Sequence, residues 1–447
     1  MVNNESREIN TGGGAFAEGG VETGGGDFVG RDQYKQSISA QGYGSIQNVT
    51  QISGEVVYNL YAGADVFKKH IRTREFQTLV AERTKTFIGR DFIFSAINAL
   101  LDDPEFPSGY IVIIGEPGIG KTSLLAQLVQ TTGLVHHFNI ASQNIRSLRD
   151  FLVNVCSQLI VRYELDHPHL PEEASKDSGF LSQLLAEAAE KEHKQSRKVV
   201  ILVDALDEAE DLALPPTANR LYLPPALPEG AYFILTTREK AQYRLLVDRI
   251  KNIYLRDDDP NNLKDVRGYI RRFLVQHPSE MAARLEEWSV DEEEFVDILT
   301  SQSQGNFMYL VHVLRDIKEG LLTRANVDNI RKLPQGLREY YQRHWRMMKA
   351  QDTARFERLQ QPVVCILATV REPVAIDNIA EWTGLGPYEV RQVIDEWQEF
   401  LDASEREDGE TLYRIYHASF QDFLREEVGL KQYHGMIADS AKKKIRW

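Results

Sequence analysis

The octapeptide Gly115-Glu116-Pro117-Gly118-Ile119-Gly120-Lys121-Thr122 follows the apolar run Tyr110 to Ile114 and opens a helical pattern at Ser123. The spacing G-x-x-x-x-G-K-[ST] reads as a phosphate-binding P-loop. Glycines let successive backbone N–H groups curl around a phosphate, and the start of a helix adds partial positive charge. In that reading Gly115, Pro117, Gly118, Ile119, Gly120 and Ser123 form the arch and the helix start. Lys121 reaches the β- and γ-phosphates, and the Thr122 hydroxyl holds Mg²⁺. Such a loop has to sit between a buried strand and a helix, which commits this part of the chain to an α/β domain.

The chain is 447 residues long, more than one ordinary domain needs. Its net charge of −14 argues against a protein whose main work is coating nucleic-acid phosphates. Cys156 and Cys365 each lie inside an apolar helical pattern and read as buried free thiols, which suits a reducing cytosol. The opening residues Met1 to Glu5 do not resemble a signal peptide, and apolar runs such as Val363 to Val370 are shorter than a membrane span. The expectation is a soluble, cytoplasmic protein without a membrane span.

Residues 1–62 differ in composition from the rest and contain a repeat of period 12, in which Ile9 to Phe16 is echoed by Val21 to Phe28. Ser45 to Val56 alternates apolar and polar residues without proline. Two readings stay open for this Gly-rich, β-prone segment. It is a flexible tail, or a set of short β-rungs that stack with copies from other chains in amyloid-like fashion.

After a charged helical pattern from Asp65 to about Thr84, strands and helices alternate, as in a parallel sheet covered on both faces. Val199-Val200-Ile201-Leu202-Val203 fits a fully buried strand, and Asp204, Asp207 and Glu208 follow at its C-terminal end, where open α/β sheets bind ligands. Asp204 there would enter the Mg²⁺ shell, and Asp207 or Glu208 would orient or deprotonate the attacking water. Phe233 to Thr237 is another buried strand, and Arg238 at its end would sense the γ-phosphate. The pairs His136-His137 and His167, His169 lack metal-ligand spacing, so the only metal expected is Mg²⁺ at Thr122 and Asp204.

From Asp265 the periodicity becomes helical throughout. Residues from about 360 to 428 then read helix, turn, helix, turn, helix and a strand from Leu412 to His417, the order of a winged helix-turn-helix. Its third helix carries Glu389, Asp395, Glu396 and Glu399 against Arg391 alone, a poor surface for DNA.

Taken together, FIGRD at 87–91, GEPGIGKT at 115–122, VVILVDALDE at 199–208, FILTTRE at 233–239, QGNFMYL at 304–310, LPQGL at 333–337 and YHASFQDFL at 416–424 resemble a NACHT-type, bacterial NLR-like member of the signal-transducing STAND ATPases, a branch of the AAA+ P-loop proteins. The resemblance implies a three-layer P-loop domain followed by a helical subdomain and a winged-helix domain. It also implies that Ile88, Gly89 and Arg90 line the adenine side, and that His417 contacts the phosphates of ADP and locks a closed state. Where many relatives carry Gly-x-Pro, this chain has Gly305-Asn306-Phe307. The expected divisions are 1–62 (Gly-rich repeat segment), 63–86 (linker helix), 87–256 (nucleotide-binding domain), 257–332 (helical subdomain), 333–359 (connecting helix), 360–430 (winged helix) and 431–447 (tail).

What the resemblance implies about function is a slow ATP hydrolase acting as an ATP/ADP switch. It would form homo-oligomers on activation and signal in innate immunity or cell death, with its trigger ligand and effector unspecified. The chain reaches Trp447 without the repeat sensor such proteins usually carry, so the ligand reader is expected outside it or in another form. Two alternatives remain: a DNA-associated AAA+ ATPase that reads duplex through the winged helix, and a non-enzymatic self-assembling adaptor.

Overall fold

The computed structural model describes residues 65–445, apart from 141–144, 211–217, 240, 242–243, 324–326, 328, 371 and 407–408. The N-terminal repeat and its alternating segment lie outside the described residues. Two helices, α1 (Asp65–Lys68) and α2 (Thr73–Thr84), lead into α3 (Asp91–Leu101). An alternation follows: β1 (Gly109–Gly115), α4 (Lys121–Thr132), β2 (Val135–Phe138), α5 (Leu148–Arg162), α6 (Gly179–His193), β3 (Val199–Asp204), β4 (Ala231–Thr237) and β5 (Ile250–Leu255). All five strands are parallel, in the order β2-β3-β4-β1-β5. Because β4 separates β1 from β3, its C-terminal end lies between the P-loop and Asp204.

Strands β1, β3 and β4 are buried at every position, as continuous apolar runs require when helices cover both faces. Alternate residues feed two cores. Tyr110, Val112 and Ile114 pack with Phe67, Phe151 and Leu181 from α1, α5 and α6. Ile111 and Ile113 pack with Phe76, Phe94 and Leu124 from α2, α3 and α4. Strand β2 stops at Phe138, and the Asn139 amide beyond it donates to the Asp204 carbonyl (2.8 Å). Helix α5 begins at Leu148, where the Ser147 hydroxyl accepts from the Asp150 N–H and caps it.

Helices α7 (Pro260–Gln276), α8 (Pro278–Trp288), α9 (Glu292–Ser303) and α10 (Phe307–Glu319) form the helical part, and α11 (Gly336–Gln351) leads out of it. Beyond a π-helical turn at Phe356–Gln360 come α12 (Gln361–Thr369), β6 (Val374–Ala375), α13 (Ile376–Thr383), α14 (Pro387–Glu396), β7 (Leu401–Glu405) and β8 (Thr411–Ile415). Strand β7 is absent from the sequence reading. Only its first two residues are even partly covered, so it carries little apolar signal, and its pairing with β8 supplies the order β6-β8-β7. The closing segment is two helices, α15 (Ala418–Glu427) and α16 (Lys431–Ile445). Tyr433 is buried, so α16 is a packed element and not only a solvated tail.

A single hydrophobic core runs from Val266 in α7 to Tyr433 in α16, shared by the helical part and the C-terminal part. Both cysteines are buried free thiols, with burial pushing each pKa up to about 12. Among the described residues no helix is long and apolar enough to cross a membrane, and no group of three or more His, Cys, Asp or Glu could hold a metal ion.

His136, His137 and His312 are almost fully buried. Burial lowers their pKa values to about 4, about 3 and about 4. An unfolded histidine binds a proton near its ordinary value, so folding is favoured by neutrality above that value and this contribution fades as pH falls. Stability is therefore expected to drop as pH falls from 6.5 to 5, each such histidine contributing up to roughly 1.4 kcal/mol per pH unit. Denaturant titrations at pH 7.5, 6.0 and 5.0 check this, and a flat profile would contradict it.

Candidate nucleotide site

The arch between β1 and α4 is built from backbone. Gly118 has φ +82°, and a side chain there would bring Cβ to 2.7 Å from the Asn306 Oδ1 and 2.9 Å from the Met308 Cβ. Gly120 caps α4 with φ +100°. Around the arch, carbonyls that face the protein are each answered. Asn306 Nδ2 donates to Pro117 O (2.9 Å), Met308 N to Gly118 O (3.1 Å) and Arg90 Nη2 to Ile119 O (2.5 Å). Lys121 folds back so that its Nζ donates to Gly115 O (2.7 Å) and Glu116 O (3.0 Å). Burial lowers the Lys121 pKa, while Asp204 and Asp207 oppose that shift.

Asp204, at the end of β3, is 3% exposed. Its carboxylate accepts from Thr122 Oγ1 (2.7 Å) and Thr236 Oγ1 (2.5 Å). Burial raises its pKa, and these two hydroxyls and Lys121 pull it back. The Thr236 hydroxyl also accepts from the Ala205 N–H (2.8 Å), which steadies a residue held at φ 50°. A carboxylate and a hydroxyl converging at a helix start form the hard-oxygen donor set Mg²⁺ takes, and the arch above them presents N–H groups suited to phosphates. The residues therefore fit a Mg²⁺-nucleotide. Thr122 and Asp204 would hold the ion, and Lys121 would exchange its carbonyl partners for phosphate oxygens.

Asp207 lies on the turn after β3, with its side chain 5% exposed, and accepts from Arg238 Nε (2.5 Å). Arg238 Nη1 donates to Asp422 on α15 (2.8 Å). Glu208 stands in the field of Arg238. Asp207 and Arg238, expected to serve the γ-phosphate independently, thus form one ion pair here.

His417 is the N-cap of α15, with its Nδ1 accepting from the Ser419 N–H (3.2 Å). The proton of the neutral ring therefore sits on Nε2. Its pKa is lowered to about 3 by burial first and then by Arg83, Lys121, His312 and Arg238.

On the opposite flank, Arg90 is 2% exposed and holds a left-handed backbone (φ 71°). Its N–H donates to Asp265 Oδ2 (2.9 Å), its Nη1 to Asn262 Oδ1 (2.6 Å), and its guanidinium lies 4.7 Å from the centre of the Phe307 ring. Gly89, at φ 68°, has no room for a Cβ against the Asp265 carboxylate, and Ile88 packs near Gly268 of α7. Arg90 is thus a buried tie between the arch, α7 and α10.

Thr236, Asp265 and Asp422 went unread in the sequence, and Asn306 was visible only as a departure from Gly-x-Pro. Thr236 had a local signal, a hydroxyl ending an apolar strand. The other three act through contacts with residues more than a hundred positions away.

A five-stranded parallel sheet with a P-loop after β1 and a carboxylate after β3 defines a P-loop α/β nucleotide-binding domain. Residues 86–220 match the family model described as an AAA ATPase domain, a family that implies nucleotide binding, typically with Mg²⁺. No curated protein sequence matches the chain. Among solved structures, a STAND protein with a tetratricopeptide repeat sensor from Pyrococcus horikoshii is similar at 15% identity and TM-score 0.39, over 80% of this chain and 46% of that one. A RuvB mutant from Thermotoga maritima is similar at 12% identity and TM-score 0.30, over 75% of this chain and 95% of that one. The chain thus spans less than half the length of the STAND protein.

Thr236→Val keeps the shape of the side chain but leaves the Ala205 N–H and one Asp204 oxygen without their hydroxyl partner. The expected cost is about 2 kcal/mol of stability, read as a lower denaturant midpoint in the absence of nucleotide. An unchanged midpoint would show that water replaces the hydroxyl.

Proposed function

We propose that the protein is an ATP/ADP-dependent switch of the STAND kind, closed in the arrangement described here and opened when ATP replaces ADP. The observation that carries this reading is the seating of α15 against the nucleotide site: Asp422 bonds Arg238, and the His417 imidazole lies in the field of Lys121. In the closed state a neutral His417 would donate its Nε2 proton to a phosphate oxygen of ADP. Arg238 would sense the γ-phosphate of ATP, and Glu208 or Asp207 would orient the attacking water. Ile88, with Gly89 and Arg90 behind it, would border the adenine side. A ligand moves such an equilibrium only by its differential affinity for the two states, and the γ-phosphate supplies that difference.

Hydrolysis in this scheme is slow and resets the switch. Opening would let protomers associate through their nucleotide domains and gather their N-terminal segments, and the NACHT-like motif order supports a role in innate-immune or cell-death signalling. The last body, α12 to α15 with β6, β7 and β8, is read as a structural winged helix. The chemistry of α14 weighs against the DNA-associated alternative: Arg391 is engaged with the Tyr413 hydroxyl, and Glu389 and Glu396 pair with Arg358 and Arg355.

Lys121→Ala is expected to weaken nucleotide binding at least about 100-fold, since the charge facing the phosphates is lost. Titration with fluorescent ADP checks it, and wild-type affinity in the variant would refute the site. His417→Ala is expected to raise spontaneous assembly, measured as particle mass in ADP. A variant that stays monomeric and retains ADP as the wild type does would count against the clamp.

A further inference from the structure

Arg238 stands at the end of β4 with its side chain 31% exposed, between two carboxylates from different parts of the chain. Its Nε is held by Asp207, which is nearly buried and fixed on the turn after β3. Its Nη1 is held by Asp422, which is 36% exposed and carried by α15, the helix that His417 caps. Asp422 also accepts from Arg425 Nη1 (2.6 Å) one turn further along the same helix. The Asp207 pair is internal to the nucleotide domain and survives any movement of α15. The Asp422 pair joins α15 to the sheet and breaks when that helix leaves.

We infer that Asp422 stands in for the γ-phosphate on Arg238, so that ATP and α15 compete for the same guanidinium while ADP leaves the pair intact. The inference rests on the switch reading above and names the residue through which that switch distinguishes its two nucleotides. A terminal phosphoryl group offers three acceptor oxygens and close to two negative charges, and a carboxylate offers two oxygens and one charge. With Asp207 keeping Nε, Arg238 turns the remaining donors to one anion or the other. ATP binding is therefore charged with breaking the Asp422 contact, and ADP, which has no group at that position, is not. Asp422 is a positioning residue in this scheme: it touches the arginine and does not touch the nucleotide.

The test uses the full chain and equilibrium titration with ADP and with a non-hydrolysable ATP analogue. Asp422→Asn removes the charge at constant shape. The ATP analogue is expected to bind about fivefold more tightly, with ADP affinity changed less than twofold. Arg425→Ala, which leaves the Arg238 contact in place, is expected to leave the ratio of the two affinities unchanged. In an Arg238→Ala background, Asp422→Asn should no longer alter that ratio, because the group competed for is gone. Equal shifts for both nucleotides, or an effect that persists without Arg238, would overturn the inference and leave the nucleotide site standing. Failure of the wild-type chain to bind either nucleotide would instead overturn the ATPase reading, and this inference with it.

Discussion

A phosphate-binding arch turns its N–H groups inward, and so its carbonyls must point back into the protein, where each needs a donor. That requirement orders much of this structure. Pro117, Gly118 and Ile119 are answered in turn by the Asn306 amide, the first turn of α10 and the Arg90 guanidinium. Two of the three donors come from the start of α10 and its cap, so the loop and the helical part are fixed to one another by backbone chemistry. Arg90 is in turn positioned by Asn262 and Asp265 of α7. Its left-handed backbone, costly for a residue with a Cβ, is held by the Asp265 carboxylate.

The opposite flank of the arch is joined in a different way. There the contacts are between charged side chains, Asp207 with Arg238 and Arg238 with Asp422, and the last pair is about a third exposed on both sides. Exposed ion pairs contribute little to stability and yield to a better anion. The bonds on the α10 side come from a neutral amide and a backbone N–H and involve no charged group. One seam is therefore closed on backbone carbonyls and the other by charged side chains, and α15 lies on the second.

The P-loop, the strand ending in Asp204 and the strand ending in Arg238 were all legible because each is written in consecutive residues. Apolar runs mark buried strands, glycine spacing marks the arch, and polar residues at strand ends mark the site. The sheet order was not written this way. What puts Thr236 against Asp204 is the insertion of β4 between β1 and β3, and periodicity along one strand says nothing about its neighbours. Asn306 was visible as a departure from a related pattern, yet its bond to Pro117 spans 189 positions. His417 could be given a role only by resemblance. Its cap on α15 was readable in principle, since a polar residue before Ala418-Ser419-Phe420 is where an N-cap belongs. Strand β7 escaped notice because an edge strand with mostly exposed residues has no apolar alternation to reveal it.

The charge distribution at the site follows from the same geometry. Lys121 and Arg238 both engage acceptors supplied by the chain: two carbonyls of the loop for the lysine, and two carboxylates for the arginine. Desolvating a cation without a partner is costly, so a site that must hold its charges without a triphosphate has to provide stand-ins. Carbonyls are weak stand-ins and belong to the arch itself, so their release costs little and moves nothing. The carboxylate of Asp422 is a stronger one and is carried by α15, outside the nucleotide domain. The same α15 is tied to the approach to the nucleotide domain, because Tyr416, beside the cap residue His417, accepts from Arg83 of α2 (2.9 Å) and lies under its guanidinium. Helix α2 packs along α4, the helix that begins at Lys121. A displacement of α15 that carried Tyr416 with it would break the contact with α2, which links the phosphate end of the sheet to the segment that joins the N-terminal residues to the domain.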